Sequence, residues 1–227
     1  MIDFIRLHLS LIVIWGCFIA SLFMLKNKPW RQPWTLFKYY LFIVVTVETL
    51  SSIGLKLHLI STSQWLYNCF MPIYGLFYFY VFSSIIRLKH TKALVLILSL
   101  TFLGSILWEG FRHGFNIFFF RTLIYLSVVQ LFLCGLYFYS IFQQDEYSDL
   151  LKEPAFWFVT GTLFYTAIVA STSIFFSELL KLQVKNQIPL RAILVVLGNI
   201  IMYGCWIKSF LCINNKQTYI TQSYSQR

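Results

Sequence analysis

The stretch TLFKYYLFIVVTVETLSSIGLK, residues Thr35–Lys56, decides how this chain is read. Apart from Glu48 it is apolar over a length that matches the roughly 20 residues a helix needs to cross about 30 Å of hydrocarbon. Glu48 is the only acidic side chain in the middle of any such stretch of the chain. A carboxylate at that depth is disfavoured by about 2.5–3.5 kcal/mol on insertion scales, so it must be neutralised, paired or turned towards a polar interior.

The composition carries the same reading to the whole chain. Of 227 residues, 59% are hydrophobic and 20% aromatic, and only 11% are charged, against about 25% in an average soluble domain. So little charge cannot cover the surface of a water-soluble fold of this size. The pattern gives seven apolar spans: Leu9–Leu25, Thr35–Leu55, Trp65–Ile86, Lys92–Trp108, Asn116–Phe142, Pro154–Phe176 and Ile188–Cys212. Their lengths suit helices, and the alternating ten-residue segments of an outer-membrane barrel are missing. The expected fold is an all-α bundle of seven transmembrane helices over residues 1–212, followed by a short polar tail, 213–227. The opening MIDFIRLHLS holds Asp3 and leads to no small-residue cleavage site, so a retained first span is expected.

Net charge is +10. The basic residues cluster as Lys26–Arg31 and Arg87–Lys92 beside spans, which reads as topology rather than nucleic-acid binding. More of the Lys and Arg residues fall on the side of these two patches, Lys152 and the tail. The N-terminus is therefore expected outside and the C-terminus in the cytoplasm, in a cell (inner) membrane. Trp30, Trp34, Trp65, Trp108, Trp157 and Trp206 fall near span ends, as an aromatic belt would. Lys208 is placed to snorkel to the inner surface. Five cysteines without a CxxC pair point to buried thiols.

The polar residues inside the spans supply the candidate site. Counting about 1.5 Å per residue, Glu48 lies about 20 Å from the Thr35 edge and Arg121 about 8 Å from the opposite one, at similar depth. The two are expected to pair, as a strut between the second and fifth spans or as the floor of a ligand pocket. Glu109 is the competing partner for Arg121. Asn68 enters the third span. Asn199 sits mid-span in the seventh, with Tyr203 one turn on and on the same face. Gly161, Thr162, Tyr165 and Thr166 in span six, and Gly198 and Gly204 in span seven, read as close helix packing.

No zincin, hydrolase-elbow, phosphate-loop or calcium-loop motif is present. The four histidines, His8, His58, His90 and His113, are scattered near span ends, and Lys208 lies at the wrong end of its span for a retinal Schiff base. No enzyme activity, cofactor or metal is expected. The stretch Pro154–Tyr165, PAFWFVTGTLFY, resembles the P-x-F-W-x-x-x-G-x-L-x-Y pattern of small, uncharacterised bacterial seven-helix proteins, and GNIIMYGCWIKSFLC near the end of the last span is similar to theirs. Some of that family resemble the membrane portions of sensor histidine kinases. The resemblance implies a receptor-like or accessory module that senses an extracytoplasmic ligand, ion or lipid and signals through a partner protein. The alternatives are a transporter or channel using Glu48, or a structural subunit of a membrane complex. The expected partners are the lipid bilayer and an output protein, with no nucleic acid.

Overall fold

Leucine, isoleucine, valine and phenylalanine runs dictate helix throughout, even across Pro72 inside the third span, since in hydrocarbon each backbone N–H and C=O must be satisfied within its own segment. The computed structural model describes residues 2–25, 33–57, 62–143, 149–186 and 189–225, and among them there are helices and no strands. The helices are α1 (Ile2–Met24), α2 (Pro33–Lys56), α3 (Gln64–Ile85), α4 (Thr91–His113), α5 (Phe120–Phe142), α6 (Pro154–Ile174), α7 (Phe176–Asn186) and α8 (Leu190–Ser225). α2 to α6 and the Leu190–Asn214 part of α8 are long and apolar enough to cross a membrane, and α1 contributes a shorter apolar helix, Leu9–Met24. This architecture is consistent with a multi-pass membrane protein. The patch Lys26–Arg31 lies outside the described residues.

The surface is inverted relative to a soluble protein. α4 presents Leu96, Ile97, Leu100, Leu107 and Trp108 outward, and Phe111 is 90% exposed. An apolar face of that extent suits lipid. Inside, α8 packs most extensively on α6 and then on α1, and α5 packs on α6.

The core is aromatic. The fully buried Phe37 of α2 meets Phe77 of α3 at 4.9 Å between centroids, Phe158 of α6 at 5.3 Å, and Trp206 and Phe210 of α8 at 5.2 and 5.4 Å. All four contacts are edge-to-face, the arrangement that the ring quadrupole favours. Tyr40 stacks on Phe77 at 3.8 Å. Four helices are thus tied at one level by one side chain. Trp206, read as a belt residue, belongs to this core. Its position near the end of an apolar run says nothing about which face it occupies, and that face of α8 meets aromatic rings of α2, α3 and α6. Trp65 and Trp108 are exposed, and Lys208 reaches over the exposed side towards the Trp157 ring, 6.0 Å from its centroid.

The structure departs from the sequence reading at several points. The stretch that follows the sixth span is helical: Phe176–Asn186 forms α7, an amphipathic helix with a Glu178–Lys181 pair of 2.8 Å on its polar side. The fifth span begins at Phe120 rather than Asn116, because Gly114, at φ +69°, ends α4 in a turn and residues 114–119 fold back. Residues 213–225 continue α8 as helix. Extending an existing helix avoids the nucleation step, and no Gly or Pro follows Gly204 to stop it. Of the small residues, Gly161 does set close packing, since a Cβ there would meet Cys205 Cβ at 2.7 Å and Met202 O at 3.0 Å, and Gly198 faces Ile168 and Tyr165. Gly204 has nothing within 4 Å. Thr162 and Thr166 bond carbonyls of their own helix.

Gly161→Ala must therefore push α6 from α8, and a loss of about 1–3 kcal/mol is expected. Gly204→Ala should be neutral or stabilising by about 0.5–1 kcal/mol, because alanine is the better helix former. Thermal unfolding of both variants in the same detergent checks the pair.

Candidate functional site

The sequence-derived polar residues separate into two groups. Asn68 is fully buried on α3. Its Nδ2 donates to Phe115 O (2.8 Å) and Ile117 O (2.7 Å), and its Oδ1 accepts from Phe119 N–H (3.1 Å). One amide side chain thus satisfies three backbone groups of the 114–119 turn, which would otherwise be unpaired at a depth where water is scarce. Glu109, buried near the end of α4, accepts from the backbone N–H groups of Thr122 (2.9 Å) and Arg121 (3.3 Å). These are among the orphan donors in the first turn of α5, where the helix dipole also favours a negative charge. Asn68 and Glu109 are struts. Their joint effect is to hold the start of α5 against α3 and α4, which brings Phe118 and Leu123 into the wall of a cavity.

The expected Glu48–Arg121 pair is not formed. Arg121 is exposed, and Glu48 forms no ion pair among the described residues. The physical reason is the late start of α5. Losing four residues from its beginning moves Arg121 about 6 Å towards the surface, into the first turn, where its backbone and not its guanidinium meets Glu109. Glu48 instead accepts a hydrogen bond from the Tyr67 hydroxyl of α3 at 3.0 Å.

Glu48 lines two adjoining cavities. The first, about 440 Å³, lies beneath α7 and is bounded by Ser10, Leu11, Phe176, Leu179, Leu180 and Gln183. The second, about 220 Å³, runs deeper between α2, α3, α6 and α8, past Tyr40, Tyr74, Tyr165, Met202 and Tyr203. Ile14, Glu48, Tyr67, Arg191, Val195 and Asn199 border both, so they form the neck that joins them. α8 supplies its part of this wall as one stripe, Arg191, Val195, Asn199 and then Met202 and Tyr203, at the three- and four-residue spacing that puts side chains on one helix face. Asn199 makes no side-chain hydrogen bond to another described residue and faces the neck. The Arg191 guanidinium lies over the rings of Phe176 (4.9 Å) and Phe120 (5.7 Å), an arrangement that holds a cation by the ring quadrupole.

Below Tyr40 and Tyr203 the space ends on the aromatic core. Tyr40 stacks on Phe77, and Tyr203 meets Trp206 edge-on at 5.3 Å. None of Phe37, Phe77, Phe158 and Trp206 lines the cavity.

Of the residues singled out from the sequence, Glu48, Asn199 and Tyr203 come together here, and Arg121 does not. Arg191 and Tyr67 escaped the sequence reading. In the sequence Arg191 is only one more basic residue at the mouth of an apolar span, where topology explains it. Its eight-residue separation from Asn199, two helical turns, was the available signal. Among the described residues no three His, Cys, Asp or Glu side chains converge as a metal site would require.

No protein-family model, curated protein or solved structure matches this chain. What the site does is therefore argued from its geometry.

Replacing Asn68 with Ala should leave up to three backbone groups unpaired and lower stability by about 2–4 kcal/mol. Hydrogen exchange at Phe119 should accelerate as the turn loosens. An unchanged exchange rate there would show that the clamp is dispensable.

Proposed function

We propose that this chain is a receptor-like module of seven membrane-spanning helices, with α1 completing the six long ones, that binds a small ligand in the cavity beneath α7. Its N-terminus lies outside and its C-terminus in the cytoplasm of the cell membrane, as the distribution of Lys and Arg favours. The cavity then opens to the extracytoplasmic side, because α7 and the starts of α3, α5 and α8 share that end of the bundle.

One observation carries the reading. A cavity of about 440 Å³ narrows to a polar neck and continues into a tyrosine-lined chamber that stops at the aromatic core. Such a volume falls within the roughly 300–1,000 Å³ of small-molecule sites, and a few polar groups on an apolar wall are what fix a ligand's orientation. A transport path would have to pass Phe37, Phe77, Phe158 and Trp206, which offer a cation no oxygen ligand. This favours sensing over conduction. Binding shifts a helix arrangement only if the ligand prefers one of two states. The neck is bordered by side chains from α1, α2, α3 and α8, so a ligand there touches the packed pairs α1–α2 and α1–α8 together. The output is then read by a protein partner on the cytoplasmic side.

The reading predicts one-sided access. In a cysteine-free background, Val195→Cys in the neck should react with a membrane-impermeant methanethiosulfonate added outside and not with the same reagent added inside. Equal reaction from both faces would replace the receptor by a channel, and no reaction from either would mean a sealed, purely structural void.

A further inference from the structure

Glu48 is the one acidic side chain on the border of either cavity. It is partly buried on α2 and forms no ion pair among the described residues. The Tyr67 hydroxyl donates to its Oε2, and its Oε1 accepts no hydrogen bond from a described residue. A carboxylate at membrane depth is stabilised by a complementary charge, and such residues serve as counter-ions to bound cations. Arg191 borders the same space, but its guanidinium lies over Phe176, which lines the outer cavity and not the inner one. It has no part in the site argued here.

The surroundings of the carboxylate select the kind of cation. A metal ion needs several oxygen, nitrogen or sulfur ligands, and among the described residues no three His, Cys, Asp or Glu side chains converge. The inner cavity, about 220 Å³, is bordered instead by the rings of Tyr40, Phe70, Tyr74, Tyr165 and Tyr203. An inorganic ion gains little from such walls. An apolar body gains by burial against them, and the negative ring faces also attract its charge. Glu48 borders both cavities, so a cation on its carboxylate has the ring-lined space directly behind it. A phospholipid headgroup would place its phosphate there.

We infer that the ligand is a small organic amine, its ammonium group paired with Glu48 and its apolar body held in the tyrosine-lined chamber. This rests on the binding role proposed above and gives it a chemical class.

The experiment uses the full chain in dodecyl maltoside, an uncharged detergent without an amine, and compares three solutes by calorimetry and thermal shift. Phenethylamine has the charge and the body, 2-phenylethanol has the body alone, and methylamine has the charge alone. Wild-type protein should bind phenethylamine more tightly than 2-phenylethanol by roughly tenfold or more, the scale of one charged hydrogen bond. It should bind methylamine more weakly than phenethylamine by roughly tenfold or more, because the ring's burial is lost. Glu48→Gln should bring phenethylamine to the level of 2-phenylethanol and leave 2-phenylethanol itself unchanged, and Glu48→Asp, which keeps the charge, should retain part of the preference. The comparison of solutes on wild-type protein decides even where a variant fails to fold. Equal binding of phenethylamine and 2-phenylethanol would overturn the assignment and make Glu48 a neutral strut. Methylamine binding as tightly as phenethylamine would overturn it in favour of a simple cation site. Stabilisation by phosphatidylethanolamine that needs Glu48, with phenethylamine silent, would overturn it in favour of a lipid site. Absence of any saturable effect would also overturn it. If Val195→Cys is then still accessible from outside, the assignment fails while the receptor reading survives. If Val195→Cys is sealed, both fail.

Discussion

A polar group in the hydrocarbon region has no water to turn to, and this constraint orders the whole bundle. Asn68 answers it by clamping the turn between α4 and α5, and Glu109 by capping the first turn of α5. Both residues are spent on the backbone, and neither is left to meet a ligand. Glu48 answers it differently. It has a single tyrosine hydroxyl and an opening. The distinction between a strut and a site lies in whether the protein itself fills the partner's place.

The aromatic core gives the cavity its shape. Phe37 binds α2, α3, α6 and α8 at one level through edge-to-face contacts. The helices are thereby closed on one side, while on the other α7 and the clamped turn leave them apart. α7 covers this opening with an apolar face, and its Phe176 contributes one of the two rings on which Arg191 rests. One short amphipathic helix thus roofs the vestibule and supplies a ring to the Arg191 guanidinium.

Much of this was legible in the chain. The spans from α2 to α6 and the membrane part of α8 follow from runs of apolar residues long enough to cross a bilayer, and Glu48 and Asn199 stand out because polar groups are rare there. Gly161 could be read as a contact, since only a small residue lets two helices approach so closely. The pairing of Glu48 could not be read. Depth along the chain was inferred from hydropathy, and hydropathy did not show that Gly114 turns the chain and delays α5. A four-residue error there shifts the start of a helix by about 6 Å along its axis and leaves Arg121 in the first turn at the surface rather than in the interior. Nor did hydropathy mark Phe176–Asn186 as helix, because its apolar residues are interleaved with polar ones.

The sequence by itself determined the solvent, the helical class and the identity of the costly polar residues, because these depend on length and composition along one dimension. Only the tertiary structure decided which polar group meets which. That depends on the rotation of each helix about its axis, which the packing of Phe37, Gly161 and Asn68 sets and no linear pattern records. Rotation turned Trp206 inward and set Arg191 on the wall of the cavities that Glu48 also lines, and the late start of α5 left Arg121 at the surface.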